Sequence, residues 1–259
     1  MRASWLTALS YRMDTFFSFM SMIVGIVPLY FVSRALQPMM AGIIRTEAPE
    51  YFGFLIIGLL TYTFVSTAVG AVHGALSSEI SSGSFEALMS TPTSLPILLL
   101  GMVGQAFSMN AIRAAVVFGA ACVLGAHVVW TAGPAALFIL GLLTFCYLGF
   151  GIIAAALVLA FRTTGPFPAA VLTISALLGG VYYPSSVVPS WLAQFATFVP
   201  LTYGLRALRR SLLDGASLTR SGGDLAILAG WSLAIVAAGM IAFGWALRYA
   251  KRAGTLAQY

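Results

Sequence analysis

An all-α membrane protein with six transmembrane helices is the fold class this sequence predicts, on three observations. The mean hydropathy is +0.98 over 259 residues, outside the range of water-soluble domains. Six apolar runs have about the 20 residues needed to cross a hydrocarbon core: Thr15–Val32, Phe52–Val72, Ile97–Leu124, Pro134–Phe161, Phe167–Val187 and Leu225–Leu247. Strand-length alternation of apolar and polar residues, the mark of a membrane β-barrel, is missing. The runs read as one bundle with no water-soluble domain appended at either end, so residues 1–259 form a single transmembrane domain in this expectation.

The elements follow in chain order. Residues 1–14, MRASWLTALSYRMD, place Trp5, Leu6, Leu9 and Met13 on one helical face with Arg2 and Arg12 elsewhere. That pattern predicts a short amphipathic helix lying in the interface; an early start of the first span fits the same residues. A cleavable signal is not expected, because the first apolar run is too long and has no small-residue cleavage site. In span two, Gly70 and Gly74 have the spacing that suits close helix packing, and His73 between them reads as a packed or interfacial histidine. In span three, Arg113 lies at a depth where charge is costly. It is expected to face Asn110, a carbonyl, water or another chain, or else a substrate. Tyr62, Phe64, Asn110, Arg113 and Tyr182 are candidate pathway residues, with packing or an interfacial belt as the alternative. Cys122 and Cys146 both fall in spans and indicate neither a disulfide nor a metal site.

Two connecting segments carry more information than loops need. Between spans two and three runs EISSGSFEALMSTPTS, Glu79 to Ser94, without a basic residue in a chain that holds 13. Leu76 to Met89 predicts a helix. Ser82 or Ser84 caps a turn and Glu86 sits near its positive end, while Pro92 stops it. Phe85, Leu88 and Met89 offer apolar contact, and Glu79 and Glu86 offer charge. Lacking cations, the segment is a poor headgroup anchor and a better fit to a protein partner. After span five, Pro184, Pro189 and Pro200 break the chain into short pieces, as a re-entrant segment needs. Leu201, Leu205, Leu208 and Leu212 then form an apolar stripe. Arg206, Arg209 and Arg210 lie off the stripe and are expected to reach toward lipid headgroups.

Charge excludes several chemistries. The excess of 13 Lys+Arg over 7 Asp+Glu serves topology and headgroups rather than nucleic acid. Six spans put both termini on one side, but the basic residues divide evenly: Arg2, Arg12, Arg162, Arg248, Lys251 and Arg252 against Arg34, Arg45, Arg206, Arg209, Arg210 and Arg220. The count does not decide orientation; the compact RYAKR at the C-terminal end favours the inside. Lys251 is the single lysine, so no phosphate-binding Gly-x-x-x-x-Gly-Lys-Ser/Thr loop exists. No zinc-binding His-Glu-x-x-His occurs, and no span holds an acid. Ion-coupled carriers use ionisable groups at mid-membrane, which here leaves only Arg113.

The fragment SGSFEALMSTP resembles the Gly-Thr-Leu-Glu-x-Leu-Leu-x-Thr-Pro stretch of ABC-2 type permeases, the membrane subunits of ABC exporters. Gly83, Glu86, Leu88, Thr91 and Pro92 match; Ser84 and Phe85 depart mildly. A longer fragment, GGVYYPSSVVPSWLAQFATFVPLTYGLRALRRSLLDG, is similar to that family's signature after the fifth span. There Pro184, Pro189, Trp191, Pro200, Leu201, Tyr203, Arg209 and Gly215 fall on matching positions. The resemblance implies two permease chains, identical or related, working with two copies of a separate ATPase that uses ATP and Mg. This chain would then be no enzyme by itself and hold no cofactor. Glu79, Gly83, Phe85, Glu86, Leu88, Thr91 and Pro92 would belong to the coupling helix docked on the ATPase. Tyr183, Pro184, Pro189, Trp191, Pro200, Tyr203, Arg206 and Arg209 would belong to re-entrant helices closing the outer face. The resemblance also implies a cell (inner) membrane location with cytoplasmic termini. The cargo expected is amphipathic small molecules, such as drugs, or lipids. Export of polysaccharides or lipid-linked glycans is the alternative within the family. A secondary carrier, needing no ATPase, and a non-transporting scaffold are the readings outside it.

Overall fold

The computed structural model describes residues 12–44, 48–81, 95–161, 163–184 and 187–252. Among these residues there is no strand, and the helices are α1 (Arg12–Ile44), α2 (Tyr51–Ser81), α3 (Leu95–Val123), α4 (Gly133–Phe161), α5 (Phe167–Leu178), α6 (Ser190–Ala196), α7 (Pro200–Asp214) and α8 (Gly222–Arg252). Short 3-10 turns at Trp130–Ala132 and Leu218–Ser221 lead into α4 and α8. Five described segments are long and apolar enough to cross a membrane: Met20–Ile44, Tyr51–Glu79, Val103–Val123, Trp130–Phe161 and Leu218–Ala250.

The predicted fifth span, Phe167–Val187, is not one continuous helix. α5 has 12 residues, about 18 Å at 1.5 Å per residue, against the roughly 30 Å of a hydrocarbon core. Apolar composition alone does not carry a helix through Gly179-Gly180. Gly180 has φ +80°, a left-handed conformation that residues with a Cβ rarely adopt. Pro184 then follows within one turn. The first span differs in the other direction. α1 runs on to Ile44 with Pro28 and Pro38 inside it, and it already includes Arg12 and Met13. The remainder of the expected interfacial helix lies outside the described residues.

The centre of the bundle is α4, with α8 along one side and α2 along the other. Two glycines two residues apart make this possible, because they point to nearly opposite faces of a helix with 3.6 residues per turn. A Cβ on Gly149 would stand 2.9 Å from the backbone of Ile235 and Val236 in α8, and one on Gly151 would stand 2.5 Å from the Ala68 carbonyl oxygen in α2. Small residues bring membrane helices together in this way. The glycines singled out by spacing make no such contact among the described residues: a Cβ on Gly70 or Gly74 would have nothing within 4 Å. His73 is a local contact, its Nδ1 2.8 Å from the Val69 carbonyl oxygen.

Core side chains surround that centre. Val65, Val69, Leu143, Tyr147, Val181, Leu201, Leu205 and Leu228 are buried together where α2, α4, α7 and α8 converge. Further along the bundle, Val72, Leu76, Val103, Ala155, Val158, Leu159 and Ala246 form a second cluster. The predicted leucine stripe of α7 is thus buried, but against protein rather than in a lipid interface.

Candidate functional site

The chain between α5 and α7 folds back on itself and is held by side chains aimed at backbone carbonyls. Val199, extended at φ −93° and ψ 113°, has the conformation required before a proline, and Pro200 opens α7 where its missing N–H costs nothing. The Thr202 hydroxyl, one turn on, donates to the Ala196 carbonyl at 3.0 Å and lies 3.4 Å from that of Leu178. It therefore ties α7 to the ends of both α6 and α5. The hydroxyl groups of Tyr147 and Ser175 are 2.7 Å apart and join α4 to α5. Tyr183 donates to the Leu177 carbonyl at 2.7 Å and Tyr203 to that of Thr197 at 2.9 Å.

Arg209 departs from the expectation that it reaches toward headgroups. It is 1% exposed. Its Nη2 donates to the carbonyl oxygens of Gly180 at 2.8 Å and of Phe54 and Val181 at 3.2 Å. Its guanidinium carbon lies 3.3 Å from the centre of the Phe54 ring, an attractive placement for a cation. Arg209 lies in the third turn of α7, and a single guanidinium nitrogen meets the carbonyls of α2 and of the turn. Tyr51 strengthens the same junction by donating to the Tyr182 carbonyl at 3.0 Å. Gly58 permits it: a Cβ there would stand 2.3 Å from the Val181 oxygen and 2.9 Å from Arg209 Nη2. The other two arginines of α7 are also engaged. Arg206 and Arg210 both face Asp224 in the first turn of α8, at 3.5 and 3.2 Å. The Asp224 side chain is only 13% exposed, which sets this pair apart from a solvated surface bridge.

The remaining residues of the expected outer segment are dispersed. Pro184 and Pro200 are buried, Pro189 precedes α6, and Trp191 is 66% exposed. The residues expected to couple to an ATPase, Gly83, Phe85, Glu86, Leu88, Thr91 and Pro92, lie outside the described residues. Glu79 is half-buried in the last turn of α2, so the first residues of the predicted 76–89 helix continue span two.

The candidate pathway residues do not share one surface. Phe64 lines a cleft of about 400 Å³ between α2, α3, α4 and α7, with Leu60, Ala111, Ala115, Trp130, Leu137 and Leu208 among its walls. Tyr62 packs instead against the central core. Arg113 is exposed on α3, and no hydrogen bond joins it to Asn110, whose amide nitrogen is buried and has no hydrogen-bond partner among the described residues. Sequence reasoning missed Tyr51, Tyr147, Thr202 and Asp224. Only Asp224 left a signal, as an acid immediately before the last apolar run.

A bundle of long apolar helices, with a buried cation held by carbonyls at one end of α2 and an acid at its other end, defines a multi-pass membrane protein. The family model described as ABC-2 type transporter matches residues 16–213. The chain belongs to that family: it is a membrane subunit of the kind that works with an ABC ATPase. The match stops at Leu213 within α7, yet α8 beyond it packs along α4, so the bundle is larger than the matched stretch. No curated protein matches the sequence.

Proposed function

We propose that this chain is the permease subunit of an ATP-driven exporter, moving amphipathic small molecules or lipids outward across the cell membrane. The family match over residues 16–213 carries the reading. Two permease chains and two copies of a separate ATPase make up the complex, with ATP and Mg bound by the ATPase. Both termini lie in the cytoplasm, the 82–94 segment docks on the ATPase, and the α5–α7 region closes the outer end. The apolar walls of the α2–α3–α4–α7 cleft, in which Thr61 is the one hydroxyl-bearing residue among the described residues, support an amphipathic cargo over a hydroxyl-rich polymer.

Purified alone, the chain is expected to hydrolyse no ATP, and to support hydrolysis only with its ATPase, because it has no phosphate-binding loop. Vanadate-sensitive hydrolysis by the isolated chain, with contaminants excluded, would contradict this. Topology offers a second check in intact cells. Glu47→Cys and Ala216→Cys should react with a membrane-impermeant thiol reagent from outside, and Ser82→Cys and Thr255→Cys should not. The opposite labelling would invert the arrangement and remove the 82–94 segment from the ATPase side.

A further inference from the structure

Arg209 lies at the meeting point of three parts of the chain: its own helix α7, the start of α2, and the 180–184 turn after α5. A buried cation is expensive unless hydrogen bonds compensate it, and here the carbonyls come from two separate segments, Phe54 on α2 and Gly180 and Val181 on the turn. Nη2 carries two hydrogens but has three carbonyl oxygens within 3.2 Å. The bonds are therefore shared, and one nitrogen links the turn to α2. α2 itself has 31 residues and no proline, so it spans about 46 Å, more than the roughly 30 Å hydrocarbon core. Its two ends, Phe54 and Glu79, consequently lie at opposite faces of the membrane.

We infer that Arg209 is a positioning residue that transmits movement of α2 to the 180–184 turn, so that a displacement imposed at the Glu79 end alters access at the other face. The inference rests on the proposed role as an ATPase-driven permease. Arg209 touches no cargo in this account. It acts by making the turn follow α2, with Gly58 keeping the two in contact and Tyr51 adding a second bond to Tyr182.

The test uses the whole complex, reconstituted with its ATPase in proteoliposomes. The background is Cys122→Ala and Cys146→Ala with Tyr182→Cys, since the Tyr182 side chain is exposed. The readout is the rate of labelling by an impermeant maleimide, nucleotide-free against vanadate-trapped. With Arg209 in place, the two rates should differ. Arg209→Met should abolish the difference while the ATPase still co-purifies and still hydrolyses ATP. Arg209→Lys, which keeps the charge but not the fork, should restore part of it. A role in stability alone predicts no such separation of labelling from hydrolysis. Gly58→Ala should abolish the difference independently by pushing the Val181 carbonyl away, and it decides the matter if Arg209→Met does not accumulate. Undiminished nucleotide dependence in an assembled Arg209→Met complex, or in Gly58→Ala when that variant decides, overturns the inference. So does a native complex that hydrolyses ATP with labelling indifferent to nucleotide. A native chain that binds no ATPase at all overturns the permease reading first.

Discussion

Gly149→Leu is expected to leave no monodisperse folded protein in detergent, whereas Gly141→Ala on the same helix should melt with or above the native protein. The two glycines differ in what stands beside them. A Cβ on Gly149 would lie 2.9 Å from the Ile235 carbonyl carbon, the Ile235 side chain and the Val236 nitrogen. Two of those three are backbone, which has no rotamer to yield. The contact is reciprocal, since a Cβ on Gly239 would lie 2.8 Å from the Gly149 carbonyl oxygen. Separating α4 from α8 to admit leucine would also open the buried layer of Leu143, Cys146, Leu228 and Ile235. Overpacking a tight core typically costs about 1–3 kcal/mol. The rigid neighbours put even Gly149→Ala toward the upper part of that range, and leucine beyond it. A Cβ on Gly141 would meet nothing within 4 Å among the described residues, and alanine there gains helix propensity. Fluorescence-detected size-exclusion chromatography after a temperature ramp distinguishes the two. A Gly149→Leu variant that melts with the native protein would refute the close crossing.

Glu86→Arg is expected to leave insertion and expression near native while abolishing co-purification of the ATPase and transport together. Glu86 is the acid of the stretch that resembles the family's coupling segment, and it lies outside both the apolar runs and the described residues. If it meets a basic group on the ATPase, reversing its sign replaces attraction by repulsion at a partly desolvated contact. Truncating one partner of such a pair costs about 2–5 kcal/mol, enough to weaken association at least thirtyfold. Glu79→Arg should do less, because Glu79 is half-buried on α2 and precedes the matching motif. Pull-down of the ATPase with each variant, quantified against membrane expression, measures the difference. Normal association by Glu86→Arg would reduce the glutamate to a helix-end residue.

The contrast between α4 and the predicted fifth span shows what hydropathy can and cannot read. Both are apolar runs bounded by polar turns, and Pro134–Phe161 became α4 almost to the residue. Phe167–Val187 broke at Gly179-Gly180, because hydropathy averages over a glycine pair whose conformation interrupts the helix. The glycine spacing at Gly70 and Gly74 was equally visible, yet a Cβ at either would meet nothing within 4 Å among the described residues. Gly149 and Gly151, without that spacing, make the crossings. A motif reports that close approach is sterically allowed; which helix arrives is decided by everything else in the bundle.

Arg209 divides what the chain composition determines from what folding adds. Solvent preference is a sum over residues, so the all-helical membrane class, the long spans and the lack of a phosphate-binding loop follow from the sequence by itself. The fragments around Glu86 and Arg209, with their order and spacing, likewise carry the family. The leucine stripe of α7 also follows, since it depends only on helical periodicity. Whether its arginines face lipid or protein does not, because periodicity assigns a side chain to a face without saying what lies opposite. Only the tertiary structure brings Phe54, 155 positions away in sequence, and the Gly180–Val181 carbonyls together around one guanidinium. Hydrogen-bond partners that distant leave no trace in local pattern. Their convergence is set by helix packing, and that packing turned an expected headgroup anchor into a buried junction.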